Sequence, residues 1–124
     1  MTSPLPDNVN IVRVRGYWYS QNGGGSGITI TFTPLVDNLI DLTEHAYIKT
    51  TAKTATPDAD TAYFFVDLIA TNDPDLTPSP ARWKVTRDGF SPVVIEVPYD
   101  LDIVDVGGGL MMHALWLTDA TVVG

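Results

Sequence analysis

The chain has 124 residues, 44% hydrophobic, 10% aromatic and 18% charged, which is enough for one domain with a buried core. Seven basic residues against fifteen acidic ones give a formal charge of −8 and a pI near 4.3, a balance that repels nucleic-acid backbones and anionic membrane surfaces. There is no cysteine, so disulfides, thiolate metal sites and cysteine nucleophiles are excluded together.

Residues 1–8, with two prolines, read as an extended N-terminal arm. From Val9 the pattern alternates, with Val12 and Val14 on one face and Arg13 and Arg15 on the other. Tyr17-Trp18-Tyr19 continues that strand after Gly16, and the glycine-rich segment 21–27 reads as a flexible hairpin connection. Residues 28–33 alternate most cleanly, Ile28, Ile30 and Phe32 against three threonines, until Pro34 ends the segment. Residues 35–45 suit either one helical turn or a turn between short strands. A strand is expected over 46–52, a turn-rich link over 54–60, and a strong strand over 61–70 with Tyr63, Phe65 and Leu68 on one face. The near-continuous hydrophobicity of that last segment points to a central strand covered on both sides.

Three prolines make 71–80 an irregular loop. Residues 82–87 alternate Trp83 and Val85 against Lys84 and Thr86, and Asp88-Gly89 is a turn dipeptide. Residues 92–98 set Val93, Ile95 and Val97 against Val94 and Glu96. Residues 99–106 read as an acidic loop, 107–109 as a second glycine joint, and 110–117 as a last strand or a short helix. Thirteen Asp, two Glu, fifteen Thr and nine Pro favour strands and turns over helices. An all-β, immunoglobulin-like sandwich of about seven strands with short extended termini is expected. Its parts are an arm at 1–8, the sandwich at 9–106, and a segment at 107–124 that completes the sandwich or docks on a partner. The opening MTSPLPDN has neither the basic nor the apolar region of a signal peptide, so none is expected. The apolar run 110–117 is interrupted by His113 and far shorter than the ~20 residues of a membrane helix.

Catalytic chemistry is poorly supplied. His45 and His113 lie far apart in different contexts, and neither Ser20, Ser26 nor Ser91 sits in a GxSxG elbow, so no catalytic residue and no cofactor is assigned. Asp58/Asp60, Asp73/Asp75 and Asp100/Asp102 each place two carboxylates two residues apart. Asp73 and Asp75 are the candidate pair for a hard cation such as calcium, and turn capping is the alternative role. Trp18 is the candidate for a sugar-stacking platform, exposed if the flanking tyrosines are buried. Leu110, Met111, Met112 and Trp116, with Leu115, form an apolar set for a partner contact or for the final core strand.

The order of motifs resembles a β-sandwich domain of actinobacteriophage virion proteins, often labelled minor tail protein. The shared elements are GYWY, a glycine-rich turn, a strand ending in Phe32-Thr33-Pro34, the loop ATNDPDLTP at 70–78, the strand RWKVTRDG and the strand VVIEVP. The resemblance spans roughly residues 12–98 and is most specific at the Asp-Pro-Asp-Leu-Thr-Pro loop; where the family has an Asp-Gly turn before the strand at 61–70, this chain has Pro57-Asp58-Ala59-Asp60. It implies a non-enzymatic structural protein of the virion, tail-associated or decorating the capsid. Other virion proteins, or further copies of the chain, would be its partners. A carbohydrate-binding receptor-adhesion module, with a glycan as ligand, is the second class.

Overall fold

Twelve strands, rather than about seven, carry the chain in a computed structural model that describes residues 4–25, 27–87 and 89–123. They are β1 (Ile11–Tyr17), β2 (Ile30–Pro34), β3 (Asn38–Asp41), β4 (Ala46–Lys49), β5 (Lys53–Ala55), β6 (Tyr63–Ile69), β7 (Leu76–Thr77), β8 (Trp83–Arg87), β9 (Val93–Glu96), β10 (Ile103–Asp105), β11 (Met111–Trp116) and β12 (Thr121–Val123). The surplus consists of strands of two to four residues, too short for a periodic signal: β7 lies inside the proline loop and β10 inside the acidic one. Residues 38–49 resolve as the hairpin β3–β4, not a helical turn, and the only helical piece among the described residues is a 3₁₀ turn at Leu117–Asp119.

Two sheets make the sandwich. One has the order β10-β11-β1-β6 and the other β12-β9-β8-β2-β5. Period-two alternation sends Val12, Val14, Phe64, Val66, Leu68 and Leu115 of the first sheet inward onto Ile30, Phe32, Trp83, Val85, Ile95 and Val97. Phe32, Ile30, Val12, Val14, Val85 and Leu68 are fully buried. A third, small sheet, β4-β3-β7, packs Leu39, Ile48 and Leu76 around Val9 and Ala81, with Ile11 and Ile69 against them. It thereby covers the Ile11/Ile69 end of the outer face of the four-stranded sheet.

Several expectations change once the pairings are known. β6 pairs only with β1 and is an edge strand, not a central one. Its inward residues are Phe64, Val66 and Leu68, so Leu68 points away from Tyr63 and Phe65, as two-residue periodicity requires. The glycine-rich segment joins strands of different sheets and is no hairpin. It docks on the 57–60 turn, where Gly25 N–H donates to the Asp58 carbonyl at 3.0 Å and a Cβ on Gly24 would lie 2.0 Å from the Ala59 carbonyl oxygen. Ser26 and Asp88, with residues 1–3, lie outside the described residues. The described part of the N-terminal arm turns rather than extends, with Val9 N–H donating to the Pro6 carbonyl and Asn8 Nδ2 to Asp41 Oδ1.

The loop at 70–78 is a structural knot. Ala70 N–H donates to the Asn10 carbonyl, Thr71 N–H to the Val97 carbonyl, and Val97 N–H to Thr71 Oγ1. Tyr99 N–H donates to Asn72 Oδ1, and Asn10 N–H to Asp73 Oδ2 at 2.8 Å. Four consecutive residues thus tie the end of β6 to both neighbouring segments.

Candidate functional site

The outer face of the four-stranded sheet is built from the odd residues of β1. Arg13, Arg15 and Tyr17 pair with Asp67, Phe65 and Tyr63 of β6 and, on the other side, Arg13 and Arg15 pair in parallel register with Ala114 and Trp116 of β11. Cross-strand partners stand about 5 Å apart, so these side chains form one continuous layer. Tyr17 stacks near Tyr19 and Trp116, each at 6.2 Å between ring centroids, and lies 5.4 Å from Tyr63, which in turn neighbours Phe65. The Arg13 guanidinium lies 4.1 Å above the Phe65 ring and the Arg15 guanidinium 4.2 Å from the Trp116 ring centre. These are cation–π distances.

The layer is open to solvent. Tyr17 is 55% exposed, Tyr19 60%, Phe65 46% and Trp116 39%, a run of large rings that a monomeric surface seldom leaves uncovered. The two arginines differ in charge balance. Arg13 donates through Nε to Asp67 Oδ1 at 2.8 Å and through a terminal nitrogen to Asp67 Oδ2 at 3.1 Å; the hydrogen bond to Asp67 raises its pKa further and keeps it charged. Arg15 has no such partner: the ion pairs among the described residues are Arg13–Asp67 and Arg82–Glu96, and Arg15 Nε is buried without an acceptor. Beside Arg15 a shallow, open groove with space for about 500 Å³ is lined by Tyr17, Tyr63, Trp116 and the β10–β11 turn. Asp105, Gly107 and Gly108 form that turn wall, and Gly107 N–H donates to Asp105 Oδ1 at 2.8 Å.

The residues expected from the sequence are not all brought together. Trp116 belongs to the layer, and Met112 lies on the same outer face four residues away on β11, with Ala114 between them. Met111 is exposed at the start of β11, Leu110 is exposed at the glycine turn, and Leu115 points into the core, so the apolar set is divided by the strand's alternation. Trp18 is not the exposed platform. Its position is even, like Val12, Val14 and Gly16, so it turns inward, packs on the core and meets Phe90 edge-on at 5.8 Å. The exposed rings are the flanking Tyr17 and Tyr19, which the strict alternation of Val12/Val14 against Arg13/Arg15 already assigns to the arginine face. Arg15, Tyr63 and Phe65 had no comparable local signal as partners of Trp116, because the parallel β1–β11 pairing joins opposite ends of the chain.

Asp73 and Asp75 act as turn formers. Asp73 is 1% exposed and both its oxygens accept backbone N–H groups, from Asn10 and from Asp75. No group of three or more His, Cys, Asp or Glu side chains able to hold a metal ion occurs among the described residues. Asp58 accepts from Thr61 and Asp60 N–H groups, and these bonds, Thr61 first, hold its carboxyl below the ordinary value of 3.8. His45 is an exposed turn residue at φ 55°, and His113 Nδ1 sits on the Leu101 carbonyl. Compared with protein-family models, with curated proteins and with solved structures, the chain matches none of them.

Proposed function

We propose that the protein is a non-enzymatic structural protein of a bacteriophage virion, tail-associated, which displays the aromatic–arginine layer of its four-stranded sheet as a recognition surface. The reading joins the motif resemblance, with its immunoglobulin-like sandwich, to the one observation that carries a binding role: large rings and an unpaired arginine exposed together on a rigid sheet. Rings presented from paired strands are pre-organised, so little side-chain freedom is lost when a ligand or partner settles on them. Of the two histidines, His113 Nδ1 lies on the Leu101 carbonyl and His45 is an exposed turn residue. The exposed layer also favours adhesion to a glycan as a second role for the same protein, since sugars stack on exposed indole and phenol rings.

Quantitative mass spectrometry of purified particles, scaled to the major capsid protein, tests the virion assignment. A few copies per particle is the expected result. Copies in the hundreds would move the protein to capsid decoration, and absence from the particle would overturn the assignment.

A further inference from the structure

We infer that the Arg15 groove binds the carboxylate of an acidic sugar, such as a hexuronate or a sialate, with the sugar ring lying against Trp116 and Tyr17. The inference rests on the glycan reading of this layer and names the class of sugar; it does not depend on the virion assignment. Equal binding of neutral sugars would overturn it while leaving the glycan reading in place. Three features of the groove converge. The first is charge: Arg15 is a cation without an acidic partner within 4.0 Å, in a chain of net charge −8, while its neighbour Arg13 is fully engaged with Asp67. A partly buried guanidinium with free N–H groups is matched in geometry by a carboxylate, which takes two parallel hydrogen bonds. The Trp116 ring under Arg15 holds the guanidinium flat and spares the cost of ordering it on binding.

The second feature is shape. The site is a shallow depression open to solvent with space for about 500 Å³, which lets a sugar ring settle on it from outside and does not enclose it. The third is the lining. The lining is more polar than apolar: the rings of Tyr17, Tyr63 and Trp116 supply the apolar part on which a pyranose C–H face can lie, and the Asp105 carboxylate beside them can accept from sugar hydroxyls. An Asp105 carboxylate so placed also repels a ligand that carries negative charge along its whole length, such as a polyacidic peptide. A second copy of the chain is disfavoured for the same reason, since association brings −8 against −8.

The test is titration calorimetry of the purified protein with methyl galacturonide and with 3′-sialyllactose, each carrying one carboxylate, beside methyl galactoside and lactose as neutral counterparts and tri-glutamate as an acidic peptide. At least one acidic sugar is expected to bind with Kd of about 1 mM or tighter, and its neutral counterpart at least roughly tenfold more weakly, as loss of a charge-assisted bond requires. Arg15→Gln is expected to weaken the acidic sugar by roughly ten- to a hundredfold, with the melting temperature lowered by no more than about 4 °C, since the side chain makes no hydrogen bond in the fold and gives up only its contact with the Trp116 ring. Arg13→Gln serves as the control arginine and leaves sugar affinity within about twofold if Arg15 is the carboxylate site. The inference is overturned if neither acidic sugar binds, if the neutral sugars bind equally, if Arg15→Gln leaves affinity unchanged, or if an acidic peptide binds in place of both sugars. Trp116→Ala gives an independent reading: weaker sugar binding supports stacking, and unchanged binding contradicts it.

Discussion

Phe32→Ala is expected to cost about 3–5 kcal/mol of stability, the range for removing a buried phenylalanine. Phe32 is fully buried on β2, the strand that pairs with β8 on one side and β5 on the other, and its ring meets the inward residues of the facing sheet. Truncation loses the transfer energy of the ring and leaves a cavity that two hydrogen-bonded sheets cannot collapse to fill. For a chain of this length each kcal/mol corresponds to about 4 °C in Tm, so thermal unfolding should shift down by about 12–20 °C. Denaturant midpoints of wild type and variant check the figure. A loss below about 1 kcal/mol would mean that Phe32 does not lie between the two sheets.

Asp73→Ala is expected to cost about 3 kcal/mol, because two backbone N–H groups lose charge-assisted acceptors together. Asn10 N–H, 2.8 Å from Asp73 Oδ2, precedes β1, and Asp75 N–H, 2.9 Å from Oδ1, closes the turn that leads to β7. Both donors belong to partly buried residues, so the substitution takes away their acceptors where water reaches them only in part. Asp73→Asn keeps one acceptor oxygen and should recover about half of the loss. Calcium should shift the Tm of none of these proteins, since the Asp73 oxygens are already occupied by N–H donors. A calcium-dependent Tm in the wild type, lost in Asp73→Ala, would return the pair to the role of a cation site.

Much of this arrangement is written locally. Val12/Val14, Ile30/Phe32, Trp83/Val85 and Ile95/Val97 alternate in sequence and bury the faces they announce, because a strand has only two faces and one must leave water. The same rule sends Tyr17 and Tyr19 outward with the arginines and Trp18 inward, so the exposed rings can be read from residues 12–19 alone. Other features depend on contacts that local pattern does not encode. The hydrophobic run at 61–70 looks like a central strand, yet it lies at the edge of its sheet, and its outward Phe65 stays largely exposed with only the Arg13 guanidinium over its ring. The loop at 71–80 looks unstructured because its prolines and aspartates favour turns, whereas its polar groups are the acceptors for two distant segments, at Asn10 and at Val97–Tyr99. The pairing of Arg15 with Trp116 joins residues about a hundred positions apart, and only closure of the sheet brings them into one groove.

Arg15 is where fold and function meet. β1 lies between a parallel and an antiparallel neighbour, so Arg15 is flanked on both sides by aromatic residues, Trp116 from β11 and Phe65 from β6, with Tyr17 and Tyr63 paired next to it. Strands buried on one face hold the rings of the other face in a fixed layer, which a loop could not do. The covered end at Ile11 and Ile69 restricts access to the Arg15 end, next to the glycine turn.

The most direct test of this layer is hydroxyl-radical footprinting of the folded protein, read residue by residue by mass spectrometry. Tyr17, Tyr19, Phe65 and Trp116 should be modified readily, Trp18 more slowly than Trp116, and Trp83 least, following their exposure. Modification of Trp18 ahead of Tyr17 and Trp116 would contradict the outward aromatic–arginine layer, and with it the recognition surface proposed for the protein.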